Sequence, residues 1–221
     1  VLPKYGEDEA ISIALINPFD SWVRADLSLV RRGEVIGETE RVIPAKGMLL
    51  ETGMELFGED NIPVECYMEV ETTAGSGIIG FSRVDFPESG TTFGLNAWAP
   101  SSAETLYSAQ LASGPGVGGT GMETHIRLIN TSNETRQVTF KAIAEDGTLL
   151  AEPVVRRILN RRLIKEQAWT LFEFEGDSAV GSLVIEVDSG GVVGDVIFTP
   201  FEGIEYAAAM PLQTRPVTEA V

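Results

Sequence analysis

Apolar and polar residues alternate along much of this chain with a period of two. Val23, Ala25, Leu27 and Leu29 are interleaved with Arg24, Asp26 and Ser28, the spacing that turns one set of side chains inward and the other to solvent on a strand. Ala179, Gly181, Leu183, Ile185 and Val187 alternate in the same way with Val180, Ser182, Val184, Glu186 and Asp188. Around the single cysteine, Ile62, Val64, Cys66, Met68 and Val70 fall on one face, and Glu65, Tyr67, Glu69 and Glu71 on the other. Turn residues punctuate these runs: Arg32-Gly33, Ala45-Lys46-Gly47, Asp146-Gly147 and Ser189-Gly190-Gly191, roughly every eight to twelve residues. No stretch keeps a helical period beyond a turn or two. The best short-helix candidates are GMELFGED (53–60) and AWTLFEFEGD (168–177).

The pattern is written twice. IALIN (13–17) returns as IRLIN (126–130), 113 positions on. Further landmarks follow in order: Gly33 with Gly147, Leu56-Phe57 with Leu171-Phe172, Gly80 with Gly194, and Phe93 with Tyr206, at offsets between 113 and 117. Ordered matches at near-constant offset are the mark of a copied unit. The expected architecture is all-β: two tandem antiparallel β-sandwich domains of immunoglobulin-like or related topology. The first covers residues 1–102 and the second 103–221, with a short linker near 99–105. Asn17 and Asn130 end a strand in each copy, where an Asn side chain can bond the backbone two residues on and hold the turn. They are expected to be structural.

Several letters carry a resemblance. LINP (15–18), EDG (145–147), IPAKG (43–47), LF (56–57 and 171–172) and GFSRV (80–84) resemble the tandem β-sandwich repeats of bacterial secreted and cell-surface proteins. In those repeats a strand ends in Leu-Val-Asn-Pro, Asp-Gly closes a hairpin, and a Leu-Pro-x-Gly-Gly turn, a Leu-Phe and a Gly-Phe strand follow. The resemblance implies an exported modular protein and no defined activity. The second unit departs from the motif at LNRR (159–162), where the Pro and Gly are missing and the turn type is open.

Composition narrows the function. Sixteen Lys and Arg against thirty-three Asp and Glu leave a formal charge of −17. Such a surface repels nucleic acid and anionic membranes, both of which reward positive charge. No apolar run approaches the length of about 20 residues that spans a bilayer, so no membrane insertion is expected. The chain opens at Val1 rather than Met, as a processed or excised product would, and any export signal would already be gone.

The chemical inventory is sparse. One Cys excludes an internal disulfide and cysteine-rich metal sites, and Cys66 is expected as a small core hydrophobe. His125 is the only histidine, which excludes multi-histidine zinc sites and leaves any Cys–His pair or Ser-His-Asp triad to it alone. Its parity places it on the surface, away from Ile126 and Leu128. GPGVGGTG (114–121) lacks the Lys-Ser/Thr ending and following helix of a phosphate loop, and reads as a flexible loop. The acidic stretches GEDE (6–9), GED (58–60) and EGD (175–177) match no EF-hand and read as solvated loops. The cluster Arg156, Arg157, Arg161, Arg162 and Lys165 reads as an exposed hairpin balancing nearby carboxylates, or as a contact for an acidic face of another copy. Trp22, Trp98 and Trp169 are scattered, with Trp22 outward. Two adjacent glycosylation motifs, at Asn130 and Asn133, fall in one turn.

No catalytic, cofactor-binding or metal residues are assigned, and no cofactor is expected. The expectation is a non-enzymatic extracellular structural or adhesive block in a larger surface assembly, whose partners are other copies of itself or adjoining modules. LYSAQLA (106–112) opens the second unit where the first has only VLP (1–3). A C-terminal tail at residues 213–221 therefore reads as a donor for that edge in the next copy, by β-strand addition. A carbohydrate-binding module, which needs aromatics clustered on one exposed face, is the first alternative. A hydrolase with paired carboxylates, which needs a cleft holding both, is the second.

Overall fold

A computed structural model describes residues 2–3, 10–58, 63, 65–72, 77–86, 91–99, 101–202 and 208–214. The chain divides into two compact units, Val1–Ala99 and Pro100–Val221. The first runs β1 (Leu2–Pro3), β2 (Ala10–Ile16), β3 (Val23–Arg31), β4 (Glu34–Ile43), β5 (Met48–Thr52), α1 (Gly53–Phe57), β6 (Cys66–Thr72), β7 (Ile79–Phe86) and β8 (Thr91–Asn96). The second runs β9 (Thr105–Ser113), β10 (Met122–Asn130), β11 (Arg136–Ile143), β12 (Val154–Ile158), β13 (Leu163–Gln167), α2 (Ala168–Phe172), β14 (Ala179–Val187), β15 (Val192–Pro200) and β16 (Ala208–Pro211).

Every strand pair is antiparallel, and the strands form four sheets of four. In the first unit the orders are β1-β6-β3-β4 and β5-β2-β7-β8; in the second they are β9-β14-β11-β12 and β13-β10-β15-β16. Strand for strand these are the same two orders, each strand of the second unit standing where the strand eight before it stands in the first. The fold is all-β and of sandwich type.

Local chemistry explains the elements. Alternate residues of β3 are buried, from Val23 through Ala25 and Leu27 to Leu29. At its end Arg32 (φ 51°) and Gly33 (φ 87°) both adopt positive φ, which gives the two-residue turn whose twist suits a hairpin. The inward faces meet in a core of Ile13, Leu15, Leu27, Ile43, Leu56 and Met68 in the first unit. Ile126, Leu128, Phe140, Leu183, Ile185 and Val196 take part in that of the second. Each such side chain contributes roughly 1.5–3 kcal/mol by leaving water. The two short helices fall inside the segments expected for them. Thr52 and Glu55 cap α1 reciprocally, the Thr52 hydroxyl accepting from the Glu55 N–H at 3.3 Å and the Glu55 carboxylate from the Thr52 N–H at 2.7 Å. The same bonds pull the Glu55 carboxyl below its ordinary range.

Three expectations change. Tyr67 is buried rather than solvent-facing. It stands in register with Val30, which is also buried, so both faces of this sheet are sealed where β3 bulges between Leu29 and Val30. LNRR makes the same turn as IPAKG despite its missing Pro and Gly. Arg161 takes φ 51° where Lys46 takes 54°, and the Arg162 N–H reaches the Leu159 carbonyl at 3.2 Å as the Gly47 N–H reaches that of Pro44 at 2.9 Å. GPGVGGTG makes a closed loop between β9 and β10, which lie in different sheets, with Gly114 and Met122 exchanging both backbone bonds at 2.7 and 3.0 Å. Gly114, Gly118, Gly119 and Gly121 all carry positive φ there, which an L side chain rarely adopts.

The sheet edges differ between units. β9 pairs with β14 from Thr105 to Ser113. In the corresponding place, β1 pairs with β6 only at Leu2–Met68 and Pro3–Tyr67. At the other end, Leu212 is buried in the second core and Gln213 bridges Tyr107 of β9, with bonds of 2.8 and 2.9 Å. The tail expected to be free from residue 213 is thus engaged at Gln213 by its own unit, and residues 215–221 lie outside the described ones.

Candidate functional site

Asn17 and Asn130, both fully buried, anchor matching networks. The Asn17 Oδ1 accepts from the Phe19 N–H at 3.0 Å, and its Nδ2 donates to the carbonyls of Ser21 (2.7 Å), Ile43 (3.2 Å) and Pro44 (2.9 Å). The Asn130 Oδ1 accepts from the Ser132 N–H at 3.0 Å, and its Nδ2 donates to Glu134 (2.6 Å), Ile158 (3.1 Å) and Leu159 (3.1 Å). The bond two residues on is the expected one. The bonds to Ile43–Pro44 and Ile158–Leu159 add a staple from the β2 or β10 end to the β4–β5 or β12–β13 connection, which crosses from one sheet to the other. Two amide hydrogens serve three carbonyls, so neither Asn has a donor left for a ligand. Of the two adjacent glycosylation motifs, Asn130 is sequestered and Asn133 is exposed.

A second matched feature bridges the sheet edges. Arg41 of β4 grips Glu51 of β5 with Nε at 3.1 and 2.9 Å from its two oxygens, and Arg156 of β12 reaches Glu166 of β13 at 3.3 Å. These strands are edge strands of opposite sheets, so each pair closes the open side of its sandwich. Arg156 is thereby engaged with a carboxylate. Arg157 and Lys165 are exposed, Arg161 and Arg162 half-buried.

Cys66 is fully buried against Leu29 and Phe57, as a core hydrophobe would be. His125 is a correction: it is half-buried, not on the surface, with Nε2 3.0 Å from the Thr199 hydroxyl. Burial, helped by the nearby Lys165 charge, depresses its pKa to about 4. The cause lies in its sheet, where both faces are covered. Ile129, Val193 and Ile197 are buried on the outer face, and Arg127 and Asp195 form a fully buried ion pair. Nδ1 of His125 meets no hydrogen-bond partner among the described residues, so no carboxylate orients this ring as a triad requires.

Glu123 is buried and held by the Ser113 hydroxyl at 2.9 Å and the Trp169 N–H at 3.2 Å. Burial pushes its carboxyl up, against the hydrogen bonds it receives. It occupies the N-terminus of α2, the place that Thr52 and Glu55 fill locally at α1, and so reads as a cap delivered from β10.

A groove of about 460 Å³ runs between the β11–β12 connection and the segment after α2, lined by Leu150, Ala151, Phe172, Phe174 and the carboxylates Glu152, Glu173 and Glu175. Glu173 takes φ 52° at the helix C-cap, where α1 has Gly58 at φ 72°. Among the described residues no group of three or more His, Cys, Asp or Glu could hold a metal ion. GEDE (6–9), Glu59 and Asp60 lie outside the described residues. In EGD, the Asp177 carbonyl accepts from the Gly116 N–H at 2.8 Å. Trp22 stands 65% exposed, Trp98 is half-buried, and Trp169 packs on Phe174 and Phe201 with ring centroids 5.9 and 5.8 Å away.

No family model and no curated protein matches the sequence. Among solved structures the chain is similar to the one titled "Crystal Structure of Thermotoga maritima 1070", at 16% identity over 50% of this chain and 90% of that chain, with a TM-score of 0.37. Among the described residues, no helix is long and apolar enough to cross a membrane.

Proposed function

We propose that this chain is a non-enzymatic building block of an extracellular assembly, made by duplication of one sandwich unit and able to join end to end by strand addition. The observation that carries the reading is the recurrence of one pair of sheet orders, β1-β6-β3-β4 with β5-β2-β7-β8 and β9-β14-β11-β12 with β13-β10-β15-β16, strand for strand in two compact units. An edge with free N–H and C=O groups is a template for another chain. Pro3 is at home there, since proline is confined to strand edges. The donor strand adds at an edge of the β1-β6-β3-β4 sheet of the first unit. The recurring sheet orders, Asn staples and Arg–Glu clasps support descent from one unit. The formal charge of −17 suits a salty exterior, where a Debye length of about 8 Å screens self-repulsion.

The donor segment is the tail beyond Thr214. Size exclusion with light scattering on the chain, and on a version ending at Thr214, tests this. End-to-end species present in the first and lost in the second are expected; identical monomeric elution of both removes the strand-addition mechanism.

A further inference from the structure

The outer face of the β5-β2-β7-β8 sheet is apolar and open. Ile16 stands in register with Met48 on one side and Ile79 on the other, and in the next row Ala14 lies between Leu50 and Phe81. Their exposures are 37% for Ile16, 59% for Met48, 64% for Leu50, 54% for Ile79 and 39% for Phe81. Phe81 also lies across Gly94 of β8, where a Cβ would stand 2.1 Å from its ring, so the apolar surface continues onto the fourth strand. The first charged side chain along this face is Arg83, itself paired with Asp85 at 2.9 Å.

Two comparisons show how unusual this surface is. Single exposed hydrophobes are ordinary, but these fractions sum to roughly 500 Å² in one block, near the top of what soluble monomers expose. In the second unit the counterpart positions Ile129 and Val193 are 0% and 4% exposed, so the part of this face on the two central strands is sheltered there and bare here.

We propose that this face is where two copies of the chain pair, sheet on sheet, about a twofold axis. The area argues for a second copy. A self-complementary patch counts twice, removing about 1,000 Å² from water, the level at which specific interfaces begin. Charge argues for the same occupant. Two molecules each carrying −17 repel across most of their surfaces, and a block without charges is where they can approach closely. Sheets stack face to face about 10 Å apart with interleaved side chains, and Met48, Leu50 and Ile79 supply the length to interleave. The pairing is lateral and independent of the end-to-end strand addition.

Sedimentation equilibrium of the full chain from about 1 to 100 µM, at about 0.15 M salt, reads it directly. A reversible monomer–dimer equilibrium is expected. The double variant Met48→Gln, Leu50→Gln sits on an exposed edge strand and is expected to weaken the dimer at least about tenfold with an unchanged unfolding midpoint. Ile79→Gln serves as a second probe on another strand, with the same expected direction. The chain ending at Thr214 is expected to dimerise as the full chain does. A monomer throughout the range, a dimer indifferent to these substitutions, or a dimer lost with the tail would each overturn the proposal.

Discussion

Asn17 and Asn130 show how far a residue can be read from its neighbours. Their role in the following turn was legible, because the bonded N–H lies two positions on. The staple was not, because Ile43 and Ile158 lie 26 and 28 residues away. Removing such a side chain strands up to three carbonyls in the interior, so Asn130→Ala is expected to cost about 3 kcal/mol. Asn130→Asp is expected to cost at least as much, since a carboxylate faces carbonyls it cannot donate to. Urea midpoints measure both. His125 makes a second residue-scale prediction. Its folded pKa is near 4 against an ordinary 6.5, so the unfolded chain takes up the proton first as pH falls. Stability from the neutral ring is fully present above about 6.5 and is lost between there and about 4, on the order of 3 kcal/mol in total. His125→Gln is expected to flatten that part of the stability–pH curve; an unchanged slope would show that the ring protonates freely in the fold. Parity alone put His125 outside. The warning was in VVGDVIF (192–198), a nearly unbroken apolar run of the kind that marks a strand covered on both faces.

At the scale of elements, alternation and turn chemistry located the hairpins and both one-turn helices. What the period could not supply was the pairing between strands far apart in sequence. The Arg41–Glu51 and Arg156–Glu166 clasps were missed for that reason, although an Arg ten residues before a Glu recurs at a 115-residue offset and was there to be found. The glycines that align between copies have unequal demands. At Gly194 a Cβ would stand 2.2 Å from the Arg127 carbonyl oxygen, whereas at Gly80 it would meet the Ala97 Cβ at 2.7 Å. Backbone in the middle of a sheet yields less than a side chain on an adjoining segment. Gly194→Ala is therefore expected to destabilise by about 3 kcal/mol or more, and Gly80→Ala by less. Comparable effects in thermal or urea unfolding would mean that the β10–β15 approach is looser than described.

For the whole molecule, the duplicated strand order turns a list of hairpins into a statement about use. The two units share sheet orders, staples and clasps, and differ on the outer face of β5-β2-β7-β8, where pairing is proposed. The groove at Glu152, Glu173 and Glu175 belongs to the second unit. Sequence made the common strand order readable, since that is a matter of the order of landmarks. It could not reveal the open face, because Ile16, Met48, Leu50, Ile79 and Phe81 come from separate strands and join only when those strands pair. Electron microscopy of the native particle is the most direct trial of the building-block account. It predicts continuous or laterally paired assemblies in which a two-unit repeat recurs. A field of separate single chains, at concentrations where the protein is abundant and folded, would contradict it.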